Sequence, residues 1–141
     1  MGGAIARGLA KGTIIQVEDI CVSNPGQGKL DALKAEFPAM QVTHSNVDAV
    51  KDADIVLLAV KPWFIEPVIK ELPLDAEKQM LISVAAGISF EQYESWVGEK
   101  MPVFRIIPNT AISQLESMTL IASHHASKEQ EQLMLDIFNE M

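Results

Sequence analysis

Ile55 to Pro62 reads IVLLAVKP, an unbroken apolar run that stops at a lysine and a proline. Such a run cannot be half solvated, so as a strand it is expected to be covered on both faces, the habit of a central parallel strand. Pro62 then suits the first turn of a helix, where a missing N–H costs nothing. Lys61 is thereby set at the carboxyl end of a central strand, at the mouth of the crevice where open α/β sheets bind ligands. An ordinary solvated lysine is the alternative.

The 141 residues, 48% of them hydrophobic, make one domain with a real core. A formal charge of −8 excludes a nucleic-acid face, which needs clustered Lys and Arg, although a few phosphates held by backbone N–H groups remain compatible with it. The single Cys21 permits no internal disulfide and reads as a small buried hydrophobe in a reducing compartment. No apolar run approaches the roughly 18 residues of a membrane span, and no signal peptide is visible. The expectation is a cytoplasmic protein without a membrane partner.

Taken in order, MGGAIARGLAK at Met1 to Lys11 predicts a helix with a nearly bald face of Gly2, Ala4, Gly8 and Ala10, ended by Gly12. A Gly-rich helix start is normally aimed by a preceding strand and turn, so the first element is expected to be missing. Asp19 to Asn24 predicts a short strand, Gly28 to Glu36 a helix burying Leu30, Leu33 and Phe37, Gln41 to Ser45 a weak strand, and Asn46 to Lys51 a short helix. After Ile55 the alternation continues: a helix from Pro62 to Leu72, a strand at Met80 to Ala85, a helix capped by Ser89, and a strand at Val103 to Ile107. The last apolar run is Met118 to Ala122. Ser127 with Gln130 has capping-box spacing and opens a helix burying Leu133, Ile137 and Phe138.

Repeated β-α units of about 20 to 30 residues imply a parallel sheet with helices on both faces. The predicted fold is α/β, a Rossmann-like doubly wound, mostly parallel sheet lacking its first strand. In the usual order 3-2-1-4-5-6 the missing strand lies between Asp19–Asn24 and Ile55–Val60. Two interior edges would then be unpaired, and the expectation is either self-association through them or a sheet that closes so the two strands pair directly.

A dinucleotide unit ends its first strand in G-x-G-x-x-G. Only the tail is present: Gly2, or Gly2 with Gly3, fits the last glycine, with Met1 inside the motif, and a flexible glycine pair is the alternative. An acid at the end of the next strand would favour NAD, but Ser23, Asn24, Gln27 and Lys29 occupy that loop without one. The loop leans towards NADP, with NAD the alternative, and a plain Asn-Pro-Gly turn looks the same. Ala85, Ala86 and Gly87 are small either because a ring or ribose approaches the backbone or because a helix packs tightly there.

Three co-linear blocks carry a resemblance: AVKP at Ala59 to Pro62, SVAAGIS at Ser83 to Ser89, and RIIPNT at Arg105 to Thr110, together with MGGAIARGL and with THSN at Thr43 to Asn46. In order and spacing they resemble pyrroline-5-carboxylate reductase across the whole chain. The resemblance implies NAD(P)H-dependent reduction of 1-pyrroline-5-carboxylate to L-proline, a small-molecule substrate, and a homo-oligomer. It places Met1 and Gly2 by the pyrophosphate, Asn24 by the adenosine ribose and Asn46 near the adenine. It further places Ala59, Val60, Lys61, Pro62, Ala85, Ala86 and Gly87 along the cofactor, and Asn109 and Thr110 on the nicotinamide side.

The chain departs from the family in reading PNTA at Pro108 to Ala111, followed by Leu115, Glu116 and Ser117 in place of a glycine-flanked loop. Residues 1–141 are expected to form an incomplete dinucleotide-binding domain, without the helical dimerisation domain that completes the substrate pocket. No catalytic residue is assigned. His44, His124 and His125 have no metal-ligand spacing and read as surface or loop residues, and no metal is expected. Trp63 is expected to pack. The alternatives are another NAD(P)- or F420-linked reductase domain and a nucleotide-binding module without catalysis.

Overall fold

The computed structural model describes residues 1–141, the side chain of Thr110 excepted. Helix α1 spans Gly2–Lys11, β1 Cys21–Ser23, α2 Gln27–Glu36, β2 Gln41–Thr43 and α3 Asn46–Val50. There follow β3 Ile55–Leu58, α4 Pro62–Glu71, β4 Met80–Ser83, α5 Phe90–Val97, β5 Val103–Ile107, β6 Leu120–His124 and α6 Lys128–Asn139, with 3-10 turns at Val17–Asp19 and Thr110–Gln114. The helix starts use local chemistry. Pro62 opens α4, and Ser89 with Gln92 and Ser127 with Gln130 form reciprocal capping boxes on α5 and α6. No described helix is long and apolar enough to cross a membrane.

The strands form two sheets. β1 and β2 pair in parallel, Val22 opposite Val42, while the second sheet has the order β3-β4-β5-β6. In it β3, β4 and β5 are parallel, and β6 runs antiparallel to β5 with His124 opposite Val103. The pairings within each sheet agree with the predicted strand order. Of the two outcomes expected for the interior edges, closure does not occur: β1 and β3 do not pair.

The apolar run after Ile55 also differs from its reading as a strand covered on both faces. Val56 and Leu58 are buried, whereas Ile55 and Leu57 are half-buried. The reason is that β3 pairs on one side only and ends the four-stranded sheet, so the strand buried at every position is β4, Met80 to Ser83. The last strand likewise starts later than the apolar run, and Met118 lies outside it, 77% exposed.

One face of the larger sheet packs Leu81 and Val103 against Ile65 and Ile69 of α4 and Tyr93 of α5. There the Tyr93 hydroxyl donates to Ser83 Oγ at 2.6 Å, so the two buried hydroxyls satisfy each other. The opposite face packs Ile82, Phe104 and Ile106 against Ile5 of α1 and Met134, Ile137 and Phe138 of α6. A third cluster, Ala6, Ile20, Leu33 and Met40, joins α1 to α2 and the smaller sheet.

α1 is held closely. A Cβ on Gly8 would lie 2.7 Å from both the Ile112 carbonyl oxygen and Met141 Sδ. Arg7 makes a forked pair with Glu36 at the end of α2, Nη2 donating at 2.6 Å and Nε at 2.9 and 3.0 Å. This guanidinium holds the Glu36 carboxyl below the usual carboxylate range. Glu140, after α6, accepts from the Thr13 and Ile14 amides and the Thr13 hydroxyl, which fixes the loop leaving α1.

Two outcomes follow from this packing. Gly8→Ala must push against a backbone oxygen and is expected to cost about 1–3 kcal/mol, while Gly28→Ala, whose Cβ would meet nothing within 4 Å, is expected to be neutral or to gain up to about 1 kcal/mol; urea unfolding midpoints measure both. Because Glu36 is ionised more readily when folded than when unfolded, its contribution is complete above the ordinary carboxylate range and is lost as pH falls through the depressed folded value. Glu36→Gln is therefore expected to flatten the acid side of the stability curve and to leave its slope near neutral pH unchanged, as followed by unfolding midpoints against pH.

Candidate cofactor-binding site

In parallel strands all carboxyl ends lie at one edge of a sheet, so the loops after β3, β4 and β5 open together and those after β1 and β2 open together. The start of α1 meets the first group. A Cβ on Gly2 would lie 3.0 Å from Ala59 Cβ, so the bare Cα lets this helix start seat closely against the end of β3 and a side chain there would press on it. As at any helix start, the first backbone N–H groups of α1 have no intrahelical partner and attract an anion. Met1 precedes them as the N-cap, 47% exposed.

The AVKP segment turns outward from the same point. Ala59 is half-buried, Val60 and Lys61 are exposed, and Lys61 is the N-cap of α4 with Pro62 in its first turn. Trp63 does not pack as expected: it is 70% exposed, with its ring 6.1 Å from that of the exposed Phe64, because Ile65 and Ile69 take the inner face of α4.

After β4, Ala85 is buried in the core while Ala86 and Gly87 are exposed. Gly87 has φ +78°, and a Cβ there would meet nothing within 4 Å. Its smallness serves backbone conformation and open space rather than helix packing. After β5, Asn109 is exposed and turns its side chain back to accept from the Ala111 amide at 2.9 Å. The side chain of Thr110, expected beside it, lies outside the described residues.

At the smaller sheet, the Ser23 hydroxyl donates to Asn46 Oδ1 at 2.7 Å, and Asn46 Nδ2 donates to Glu71 Oε1 at 2.7 Å. Asn24 Oδ1 accepts from the Gly26 amide at 2.8 Å, and its carbonyl lies 2.8 Å from His44 Nδ1. Lys29 is exposed. Cys21 is half-buried, and burial, with Asp48 nearby, pushes its thiol up, so it remains a thiol. Glu71 was not expected here. Its position on α4 gives no sign of it, since the contact depends on α3 packing against α4.

These residues fit a dinucleotide. The glycine helix start offers N–H donors for a diphosphate, the open Ala86–Gly87 turn admits a ring, and residues 23–29 carry no carboxylate to repel a 2′-phosphate. Elsewhere the histidines do more than the sequence indicated. Glu94 Oε2 lies 2.8 Å from His124 Nε2 and 2.9 Å from His125 Nε2, and these contacts, His124 first, hold its carboxyl below the usual range.

A family model described as NADP oxidoreductase, coenzyme F420-dependent, matches residues 1–87. The chain is 38% identical over 111 residues to pyrroline-5-carboxylate reductase of Pseudomonas aeruginosa, covering 78% of this chain and 38% of that one. It is 32% identical over 141 residues to the pyrroline-5-carboxylate reductase of Methanosarcina acetivorans, covering 99% of this chain and 52% of that one. The crystal structure of Plasmodium falciparum pyrroline carboxylate reductase with NADP bound superimposes with a TM-score of 0.85 at 25% identity, over 99% of this chain and 51% of that one. The chain thus spans about half the length, or less, of these relatives. With more than half of its residues in the family model, the chain belongs to the coenzyme F420-dependent NADP oxidoreductase family, and the relatives it aligns with along its length are pyrroline-5-carboxylate reductases.

Proposed function

We propose that the chain is the NADP-binding part of a cytoplasmic reductase that converts 1-pyrroline-5-carboxylate to L-proline. The observation that carries this reading is the seating of Gly2 on Ala59 at the edge where the Ala86–Gly87 turn lies open, in a chain aligned over 99% of its length with a reductase of that name. The N–H groups at the start of α1 would hold the diphosphate, Ser23, Asn24, Lys29 and Asn46 the adenosine end, and Lys61 would offset anionic charge in the crevice. Val60, Pro62 and Ala85 would shape the wall, and Asn109 and Thr110 would lie on the nicotinamide side. When bound, NADPH supplies the hydride for the substrate's C=N bond, and the chain's residues orient and shield it.

NADPH fluorescence titration tests the site. Weak binding is expected, preferring NADPH over NADH and weakened further by Gly2→Val; tighter NADH binding, or indifference to the Gly2 change, would remove this reading. The isolated chain is expected to show negligible NADPH oxidation with 1-pyrroline-5-carboxylate, since it spans only about half the length of the reductases it aligns with. Steady turnover would contradict this. The family description favours a second reading, an F420-linked reductase. NADP-dependent turnover of a reduced deazaflavin, without any response to the pyrroline, would select it.

The same protein is proposed to be a homo-oligomer. The edges of β1 and β3 that face away from β2 and β4 have no strand partner among the described residues, and Ile107 and Leu120, paired at the end of β5 and β6, are 64% and 61% exposed. Unpaired edges and exposed apolar pairs both drive association. Light scattering coupled to size exclusion is expected to give a mass of at least two chains; a monomer at high concentration would refute it.

A further inference from the structure

The cluster of Glu94, His124 and His125 lies away from the cofactor edge. β6 is antiparallel, so His124 at its end pairs with Val103 at the beginning of β5, at the amino edge of the parallel strands. Thirty residues of sequence separate it from Glu94, which projects from α5. Successive side chains of an extended strand point to opposite faces. Here they do not, because His125 takes φ +59°, a left-handed conformation that costs a non-glycine residue energy, and its ring folds to 3.9 Å from that of His124. Both Nε2 atoms then converge on one carboxylate oxygen, and the three donor atoms lie within 4.8 Å of one another.

The donors are also braced. The His124 ring stacks on Phe90, one helical turn before Glu94, with centroids 5.2 Å apart and planes at 21°, and the Arg105 guanidinium lies 5.4 Å from the centre of the Phe90 ring. The three side chains are about one-third exposed, at 35%, 36% and 31% for His124, His125 and Glu94, so solvent reaches them.

We propose that Glu94, His124 and His125 form a binding site for a divalent transition-metal cation, with water completing the coordination. Two imidazoles and a carboxylate are a donor set for zinc and its neighbours rather than for magnesium or calcium. Ligand atoms bound at about 2.0–2.1 Å around a tetrahedral ion sit roughly 3.3 Å apart. The present Nε2 to Oε2 separations of 2.8 and 2.9 Å need to open by only a few tenths of an ångström. Both imidazoles would bind as the tautomer protonated at Nδ1, leaving Nε2 for the ion. Such an ion would clip the edge strand β6 to α5. It would take no part at the carboxyl edge.

Calorimetric titration of the chain with Zn²⁺, and with Co²⁺ read by its visible absorption, tests the site. One saturable ion per chain is expected, with a raised Tm, Co²⁺ bands of a four- or five-coordinate nitrogen and oxygen site, and no comparable response to Mg²⁺. Glu94→Gln and His125→Asn are each expected to weaken binding at least tenfold, and His44→Asn to leave it unchanged. His125 is exposed, and Glu94→Gln keeps the size of its side chain, so circular dichroism is expected to show both variants folded; His124→Asn adds a third arm. Absence of saturable binding, or affinity that survives both Glu94→Gln and His125→Asn, would overturn the proposal and leave the cluster as an ion pair between a carboxylate and two histidines.

Discussion

The architecture depends on α1 serving two cores at once. Adjacent residues on one helix point about 100° apart, and here Ile5 enters the core under β4 and β5 while Ala6 enters the core of β1, β2 and α2. Among the described residues no strand pairing joins the two sheets, so the packing of this short, small-residue helix stands in for backbone hydrogen bonds. Its glycines follow from that duty. Gly2 permits contact with Ala59, and Gly8 lets the backbone approach Ile112 and Met141. A larger residue at either point would push the helix away from the elements packed on the larger sheet.

On the opposite face the connection runs through α3. Val50 joins the cluster that contains Ile65 and Ile69 of α4, and Gln79, buried, donates to the Val50 and Ala53 carbonyls at 3.1 and 2.9 Å. Ser23, Asn46 and Glu71 add a polar chain from the end of β1 across to α4. The smaller sheet is thus gripped from both faces, by apolar packing below and by mixed packing and hydrogen bonding above. This grip fixes the end of β1 relative to the start of α1, since the helix packs on both sheets.

What could be read from the sequence was what is decided locally. Ser89 with Gln92 and Ser127 with Gln130 announced their helices, because a capping box is closed within four residues. Leu30 and Leu33 were legible as a buried face by their spacing. Of the candidate site, the residues themselves marked the small ones at turns and at a helix start, Ala86, Gly87 and Gly2, and the family resemblance supplied the rest. Three features were not legible because each depends on a distant partner. Whether Ile55 to Leu58 lies inside a sheet or at its edge depends on what pairs with it, and an apolar run looks alike in both cases. Trp63 reads as packing material, yet Ile65 and Ile69 already fill the inner face of α4. Met134 is fully buried against the sheet while its neighbour Leu133, the position the pattern points to, is only partly covered, since a one-residue rotation of a helix pattern cannot be fixed without knowing where the sheet lies.

The sheet also separates two kinds of chemistry by its two edges. At the carboxyl edge the loops carry few ionisable groups, Lys61 and Glu116, and the turn at Ala86 and Gly87 is exposed. Such an edge recognises a ligand through N–H groups and shape, which act without a change of protonation. At the amino edge a carboxylate and two imidazoles converge from elements that are distant in sequence. Parallel strands make this division natural: helix starts, with their unsatisfied donors, collect at the carboxyl edge, and only an element running the other way, here β6, delivers a strand's final residues to the opposite one. The antiparallel strand is therefore the reason a second polar site exists at all, and its separation from the first follows from topology rather than from any property of the histidines.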